Sequence, residues 1–283
     1  MDPLVANISD TARWVAVFRA DETERADAVF KDPFARRLAG EKGQQIASAL
    51  GFSTENRWSF VARTYLFDQV VMEHVKDGYD LVLNLAAGLD TRAYRLPLPN
   101  TLQWVEVDLP GILDYKEKVL AGEKPVCQLE SIRLDLSDRP RRNEMLAQIS
   151  SRAEKILVIT EGLIIYLNDN EAAALASDLA DQPGIRHWAF DLASPPLLSM
   201  IQMEMGSKFK ESNITFKFAP EEGEDFFKPF GWKSLASYSF MQAAAKLNRL
   251  PAHMVPYAAM PEPPGPRRPF PWSGVCLFEN VKS

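Results

Sequence analysis

Short apolar runs recur along the middle of the chain, at Leu81–Leu85, Leu102–Val107, Leu129–Leu134, Ile156–Thr160 and His187–Leu192. Their length and β-branched content suit strands buried in a sheet. Between them, Ile112–Leu120 and Asn143–Ile149 place apolar residues at helical spacing. Asn168, with Glu171 three residues on, forms a capping box that predicts a helix over Ala172–Leu179. Strand and helix in alternation predict an α/β fold, a mostly parallel sheet with helices on both faces. Two late runs, Lys233–Phe240 and Gly274–Val281, bring the expected strands to seven and would finish the sheet without a full helical crossover.

Three regions depart from this alternation. Residues 1–75 read as a helical cap before the first strand, and 76–194 as the binding core. Residues 195–283 hold the last strands and two irregular stretches, 195–230 and 251–271, placed as lids or substrate loops. The second stretch carries eight prolines, too many for a helix or an interior strand. A single domain of 283 residues accommodates all three regions.

Composition narrows the function. Hydrophobic content of 46% and charged content of 25% are those of an ordinary globular protein. A net charge of −6 argues against a nucleic-acid backbone as the main partner. No apolar run approaches a membrane span and the first residues lack a secretory pattern, so the expected place is the cytoplasm, with no membrane partner. The oligomeric state is open. Cys127 and Cys276 sit in apolar surroundings and read as buried thiols. No His, Cys or carboxylate grouping has metal-ligand spacing.

Candidate chemistry lies at the carboxyl ends of the predicted strands, where open parallel sheets bind ligands. The first strand ends in the small-residue turn Ala86–Gly88, and the second in Glu106 and Asp108. The third ends in Asp135-Leu136, the fourth in Glu161-Gly162. An acid about 20 residues after a glycine turn is how such folds hold a ribose. The turn lacks GxGxxG, which speaks against a dinucleotide, and no GxxxxGK[ST] loop is present for a polyphosphate. Acceptors at successive strand ends suit ribose hydroxyls, an adenine amine and an ammonium group. S-adenosyl-L-methionine (AdoMet) carries all three.

Eight motifs then run in order: Thr11–Ala16 (TARWVA), Arg19–Thr23 (RADET), Asp32–Ala35 (DPFA), Arg63-Thr64, Asn84–Arg92 (NLAAGLDTR), Glu106–Pro110 (EVDLP), Asp135-Leu136 and Thr160–Leu167 (TEGLIIYL). In these the chain resembles the leucine carboxyl methyltransferase family, and more closely its bacterial AdoMet-dependent branch. The resemblance implies a Rossmann-like class I methyltransferase fold and AdoMet as cofactor. It also implies roles: Gly88 against the methionine part, Asp108 on the ribose, and Asp135 with the backbone of Leu136 at the adenine. Arg63 would pair with the cofactor carboxylate, and Glu161 would face its amino group or the reaction chamber. Where the family usually has glycine this chain has Ala86, expected to be an ordinary strand-end residue at little cost. Past about residue 195 the resemblance is weak.

No catalytic base stands out. His74 is expected to be solvated, His187 structural, and His253 to lie in the proline-rich stretch. Tyr166 and Arg92 are the substrate-chamber candidates, with Arg267-Arg268 as further cations for an acidic acceptor. Together these imply an O-methyltransferase acting on a carboxylate, or a hydroxyl, of a small molecule or peptide. The alternatives are an AdoMet-binding protein without transferase activity and, more remotely, an NAD(P)-dependent oxidoreductase.

Overall fold

A computed structural model describes residues 8–50, 57–205, 214–262 and 269–283. The chain opens with three helices, α1 (Ile8–Thr23), α2 (Ala35–Leu50) and α3 (Arg57–Lys76). The sheet then begins: β1 (Leu81–Leu85), α4 (Arg92–Arg95), β2 (Gln103–Asp108), α5 (Pro110–Val119), β3 (Gln128–Arg133), α6 (Arg139–Ser150), β4 (Ile156–Thr160), α7 (Asp169–Ala180) and β5 (Ile185–Ala193). After α8 (Pro195–Met205) come β6 (Trp232–Ser239), α9 (Phe240–Lys246), α10 (Val255–Ala258) and β7 (Ser273–Asn280).

The seven strands form one sheet in the order β3-β2-β1-β4-β5-β7-β6. Strands β1 to β5 pair in parallel, and β7 runs antiparallel between β5 and β6. Chain order reverses at β1, which has β2 on one side and β4 on the other; that crevice is the expected ligand site of a doubly wound sheet.

Period-two alternation splits β1 between two cores. Leu81, Leu83 and Leu85 pack on one face with Leu146 and Ile149 of α6 and Leu175 and Leu179 of α7. Val82 faces the other way, with Phe67, Val70 and Val71 of α3 and Phe240 of α9. Helices on both faces explain why β1 and β4 are buried at every position and mostly apolar rather than alternating. The Asn168–Glu171 capping box forms at the start of α7, with bonds of 3.0 and 2.7 Å.

The N-terminal cap is helical, and Ala16 and Val17 of α1 and Leu38 of α2 pack on Leu89 and Ile112, roofing the turn after β1. The first, described part of the 251–271 stretch, residues 251–262, is less irregular than its prolines imply: a 3-10 turn at Ala252–Met254 leads into α10, where Pro256 lies in the first turn. Proline is tolerated there because its missing N–H is one that a helix start leaves unbonded anyway. Both cysteines are buried, and neither forms a disulfide. Among the described residues, no helix is long and apolar enough to cross a membrane.

Candidate cofactor and acceptor site

A cavity of 1490 Å³ opens over the carboxyl ends of the strands. It brings together all eight site candidates: Arg63, Gly88, Arg92, Asp108, Asp135, Leu136, Glu161 and Tyr166. The third candidate base, His253, lies on its wall in an exposed turn. Arg267-Arg268 lie outside the described residues.

The turn after β1 is the tightest part. Ala86 has φ 54° and Gly88 φ 52°, so two of its three residues are left-handed. This corrects the expectation for Ala86: the position is one that favours glycine, and an L side chain there costs about 1–2 kcal/mol. Neighbouring bonds hold the turn in shape. Ala87 N–H donates to Val107 O at 3.2 Å, and Asp90 N–H to Ala87 O at 3.0 Å. Asn84 Nδ2 donates to Asp90 Oδ2 at 2.8 Å.

Asp108 closes the far side of this turn. Its Oδ2 accepts Gly88 N–H at 2.6 Å and its Oδ1 accepts Leu109 N–H at 2.7 Å. Each carboxylate oxygen keeps a second lone pair, so Asp108 can accept from a diol while bracing the loop. Burial raises its pKa, against the pull of the two N–H donors. Asp135 is more open; the hydrogen bond from Ser137 lowers its pKa, and its Oδ1 accepts Ser137 N–H at 2.9 Å. The Leu136 carbonyl is taken by Arg142 Nη1 at 2.5 Å, which fixes that loop.

Beneath the turn lies a web of buried ion pairs. Arg92 reaches Asp68 at 2.7 Å, and Asp90 and Glu161 at 2.8 Å each. Arg95 pairs with Asp68 at 2.7 Å. Arg63 holds Glu161 at 3.0 Å and Asp191 at 3.4 Å. Burial would push the Glu161 carboxyl up, but Arg92 and Arg63 bring it below its ordinary value. Asp191, with Arg63 as its neighbouring cation, is left raised by burial. Three arginines face the four carboxylates Asp68, Asp90, Glu161 and Asp191, which leaves the web one negative charge in excess. A cationic ligand suits that balance.

Gly162 has φ 68°, and a Cβ there would stand 3.3 Å from Arg63 Nη1. Its N–H donates to Asp191 Oδ1 at 2.6 Å. The glycine thus lets the chain after β4 run close under Arg63. Tyr166 lies in the next turn, Ile164–Tyr166, its ring 5.3 Å from Phe216. Burial raises its hydroxyl pKa, against a hydrogen bond with Thr11, so it stays protonated at neutral pH.

Two further expectations need correcting. Glu106 does not face the cavity; it is buried with both oxygens 2.7 Å from Lys116 Nζ, a neutralising pair inside the fold. His74 is buried rather than solvated, with Nδ1 2.7 Å from Val70 O and Nε2 2.7 Å from His187 Nδ1. His74 stands four residues after Val70 and three after Val71, on the buried face of α3.

Sequence reasoning missed Asp191, although it stands near the end of β5 and obeys the same strand-end rule as the others. It missed Asp68 for lack of any signal: one acid on a helix looks like a solvated residue until Arg92 and Arg95 are folded against it.

The profile of leucine carboxyl methyltransferases matches residues 12–180. A Parafrankia sp. (strain EAN1pec) protein, provisionally classed as an S-adenosyl-L-methionine-dependent methyltransferase, is 36% identical over 193 residues, 64% of this chain and 62% of that relative. A Mycobacterium bovis (strain BCG / Pasteur 1173P2) protein of the same description is 34% identical over 234 residues, covering 77% of this chain and 76% of the relative. Among solved structures, a DUF574-family protein from Streptomyces avermitilis superposes with TM-score 0.59 at 12% identity, over 94% of this chain and 96% of that one. A protein from Thermobifida fusca YX provisionally classed as a methyltransferase gives 0.57 at 15% identity, over 98% and 96%. At such identities the structures bear on the fold, which is the seven-stranded class I methyltransferase sheet. The sequence match decides the rest: this chain belongs to the leucine carboxyl methyltransferase family.

Proposed function

We propose that the protein is an AdoMet-dependent O-methyltransferase that converts an acceptor carboxylate to its methyl ester. The observation that carries this reading is the donor–acceptor balance of the cavity floor. Asp108 and Asp135 supply acceptors beside a left-handed glycine turn, and the arginine–carboxylate web holds one excess negative charge. Those features fit a cofactor with a ribose diol, an adenine and two cationic centres. Asp108 would hold the diol, Asp135 and the Leu136 backbone the adenine, and Gly88 would allow close approach of the methionine part. Arg63 would take the cofactor carboxylate and Glu161 would favour the ammonium.

When bound, the cofactor supplies an already activated methyl group on a sulfonium. What the chain then contributes is alignment and exclusion of water. A carboxylate acceptor is ionised at neutral pH and needs no base, whereas a phenol benefits from one. Tyr166 is protonated, and Glu161 is committed to two arginines. His253 is exposed in the turn before α10. The chemistry of the floor therefore favours carboxyl over hydroxyl methylation.

The test is calorimetric titration with AdoMet, with NADH as control, followed by incubation with methyl-labelled AdoMet and carboxylic acids. Micromolar AdoMet binding and base-labile label, released as methanol, are the expected results. Base-stable label would make the product an ether. Binding without any transfer would favour an AdoMet-binding protein, and no binding would remove the cofactor assignment.

A further inference from the structure

The cavity is larger than one cofactor requires. Single-ligand sites run to about 1,000 Å³, and this one measures 1490 Å³. Its floor is the polar web described above, but its outer wall has a different character. Met200 of α8, Met241 of α9, and Met254, Tyr257 and Met260 around α10 all line it.

Three of these are exposed, Met200 at 54%, Tyr257 at 61% and Met260 at 59%. Large apolar side chains left in water singly need no explanation, but a group of them rimming one cavity marks a binding surface. Methionine also suits such a wall, because its unbranched side chain re-packs around differently shaped ligands.

Positive charge on this wall is sparse; two acids, Glu204 and Glu262, also line the cavity, Glu262 accepting from Trp272 Nε1 at 3.0 Å. The arginines lining the cavity are held by acids wherever the contacts are given: Arg63 by Glu161 and Asp191, Arg92 by three carboxylates, Arg139 and Arg142 by Asp178. Lys217 is the exception. It lines the cavity, is exposed, and has no carboxylate partner among the described residues. Backbone bonding fixes its place, since Lys217 N–H donates to Ile165 O at 2.7 Å, one residue before Tyr166.

We infer that the outer cavity binds a methyl acceptor with a large apolar body and one carboxylate, the body against the methionine wall and the carboxylate paired with Lys217. This deepens, and rests on, the methyl-transfer reading above. It makes Lys217 a specificity-determining residue and excludes a small polar acid as the preferred acceptor.

The probes are 11-(dansylamino)undecanoic acid and the matching alcohol, whose fluorescence rises on apolar burial. Each is titrated into protein loaded with S-adenosylhomocysteine, which has no methyl group to transfer, with AdoMet affinity measured on the same preparations. The acid should bind saturably, and Lys217→Gln should weaken it about fivefold, the size of an exposed ion pair, while moving the alcohol less than twofold. Met260→Asp, at an exposed position, should weaken both probes. If AdoMet binds but neither probe saturates, or if Lys217→Gln weakens both equally, the inference is overturned and the methyltransferase reading stands. If AdoMet itself fails to bind, both fall.

Discussion

The two ends of the sheet bury titratable groups in opposite ways. At the carboxyl end, Arg63, Arg92 and Arg95 stay charged against Asp68, Asp90, Glu161 and Asp191. At the amino end of β5, His74, His187 and Tyr79 form a cluster that is uncharged near neutral pH, with Tyr79 Oη 2.9 Å from His187 Nδ1. Burial lowers both histidines, His187 to about 4 with His74 adding to the effect, and raises Tyr79 to about 12. Paired charges are an expensive way to fill a core, and apolar residues of the same size often serve as well or better. A neutral cluster merely satisfies its own hydrogen bonds. The contrast teaches that the charged end is built to hold a shape for a charged ligand, while the neutral end only closes the fold.

The largest way to break that contrast is to remove the centre of the web. Arg92→Met leaves Asp68, Asp90 and Glu161 short of their shared cation, and breaking a buried pair in this way costs about 3–5 kcal/mol. Urea unfolding should show a midpoint lowered to match. A loss below about 1 kcal/mol would mean that the web is hydrated and not a structural element.

Asp108→Ala is next, and acts on binding. The substitution removes the acceptor for Gly88 and Leu109 N–H together with the lone pairs assigned to the ribose. AdoMet affinity should fall by about 2–3 kcal/mol in calorimetry, with a smaller change in unfolding midpoint. Unchanged affinity would take Asp108 out of the site.

Ala86→Gly should move the other way. At φ 54° alanine carries a left-handed penalty that glycine does not, partly offset by the greater freedom of glycine in the unfolded chain. A gain of about 1 kcal/mol in stability is expected, read as a raised unfolding midpoint. Destabilisation would mean that the alanine methyl group packs usefully against the cavity wall.

Much of this was legible in the sequence, for a physical reason. Strands buried on both faces, such as β1 and β4, write themselves as apolar runs, and all seven strands appeared, with boundaries within two residues at β1 to β5. Strand-end acids could be read because topology alone brings them to one edge. What stayed hidden depends on side chains meeting from distant segments. Asp68 and Arg92 are 24 residues apart, and His74 and His187 are 113 apart. Backbone angle was equally hidden: Ala86 is written with a residue that suits an ordinary strand end, and only the fold reveals its φ. Glu106 misled for the opposite reason. It obeys the strand-end pattern, yet it stands two residues short of the end of β2, where it is buried and taken by Lys116.

The smallest expected effect sharpens the comparison through pH. A histidine with a lowered folded pKa binds fewer protons folded than unfolded, so its contribution is complete above the unfolded value near 6.5. It is lost as pH falls from about 6.5 towards about 4, where His187 titrates in the fold. Glu161 and Asp90, lowered by their arginines, act in the same sense but only below the unfolded carboxylate range near 4. Asp108 and Asp191, raised by burial, act in the opposite sense, and a variant separates them from the histidines. His74 Nδ1 donates to Val70 O, so one further proton between the two rings completes the neutral cluster. A second has no acceptor and puts a charge in the core. His187→Phe keeps a ring stacked on Tyr79 and removes the titration. Between pH 6.5 and 4.5 the Tm of the native chain should fall a few degrees further than that of the variant. Parallel curves would mean that the amino-end cluster takes up its proton without cost, and that the two ends of the sheet do not differ in the way described.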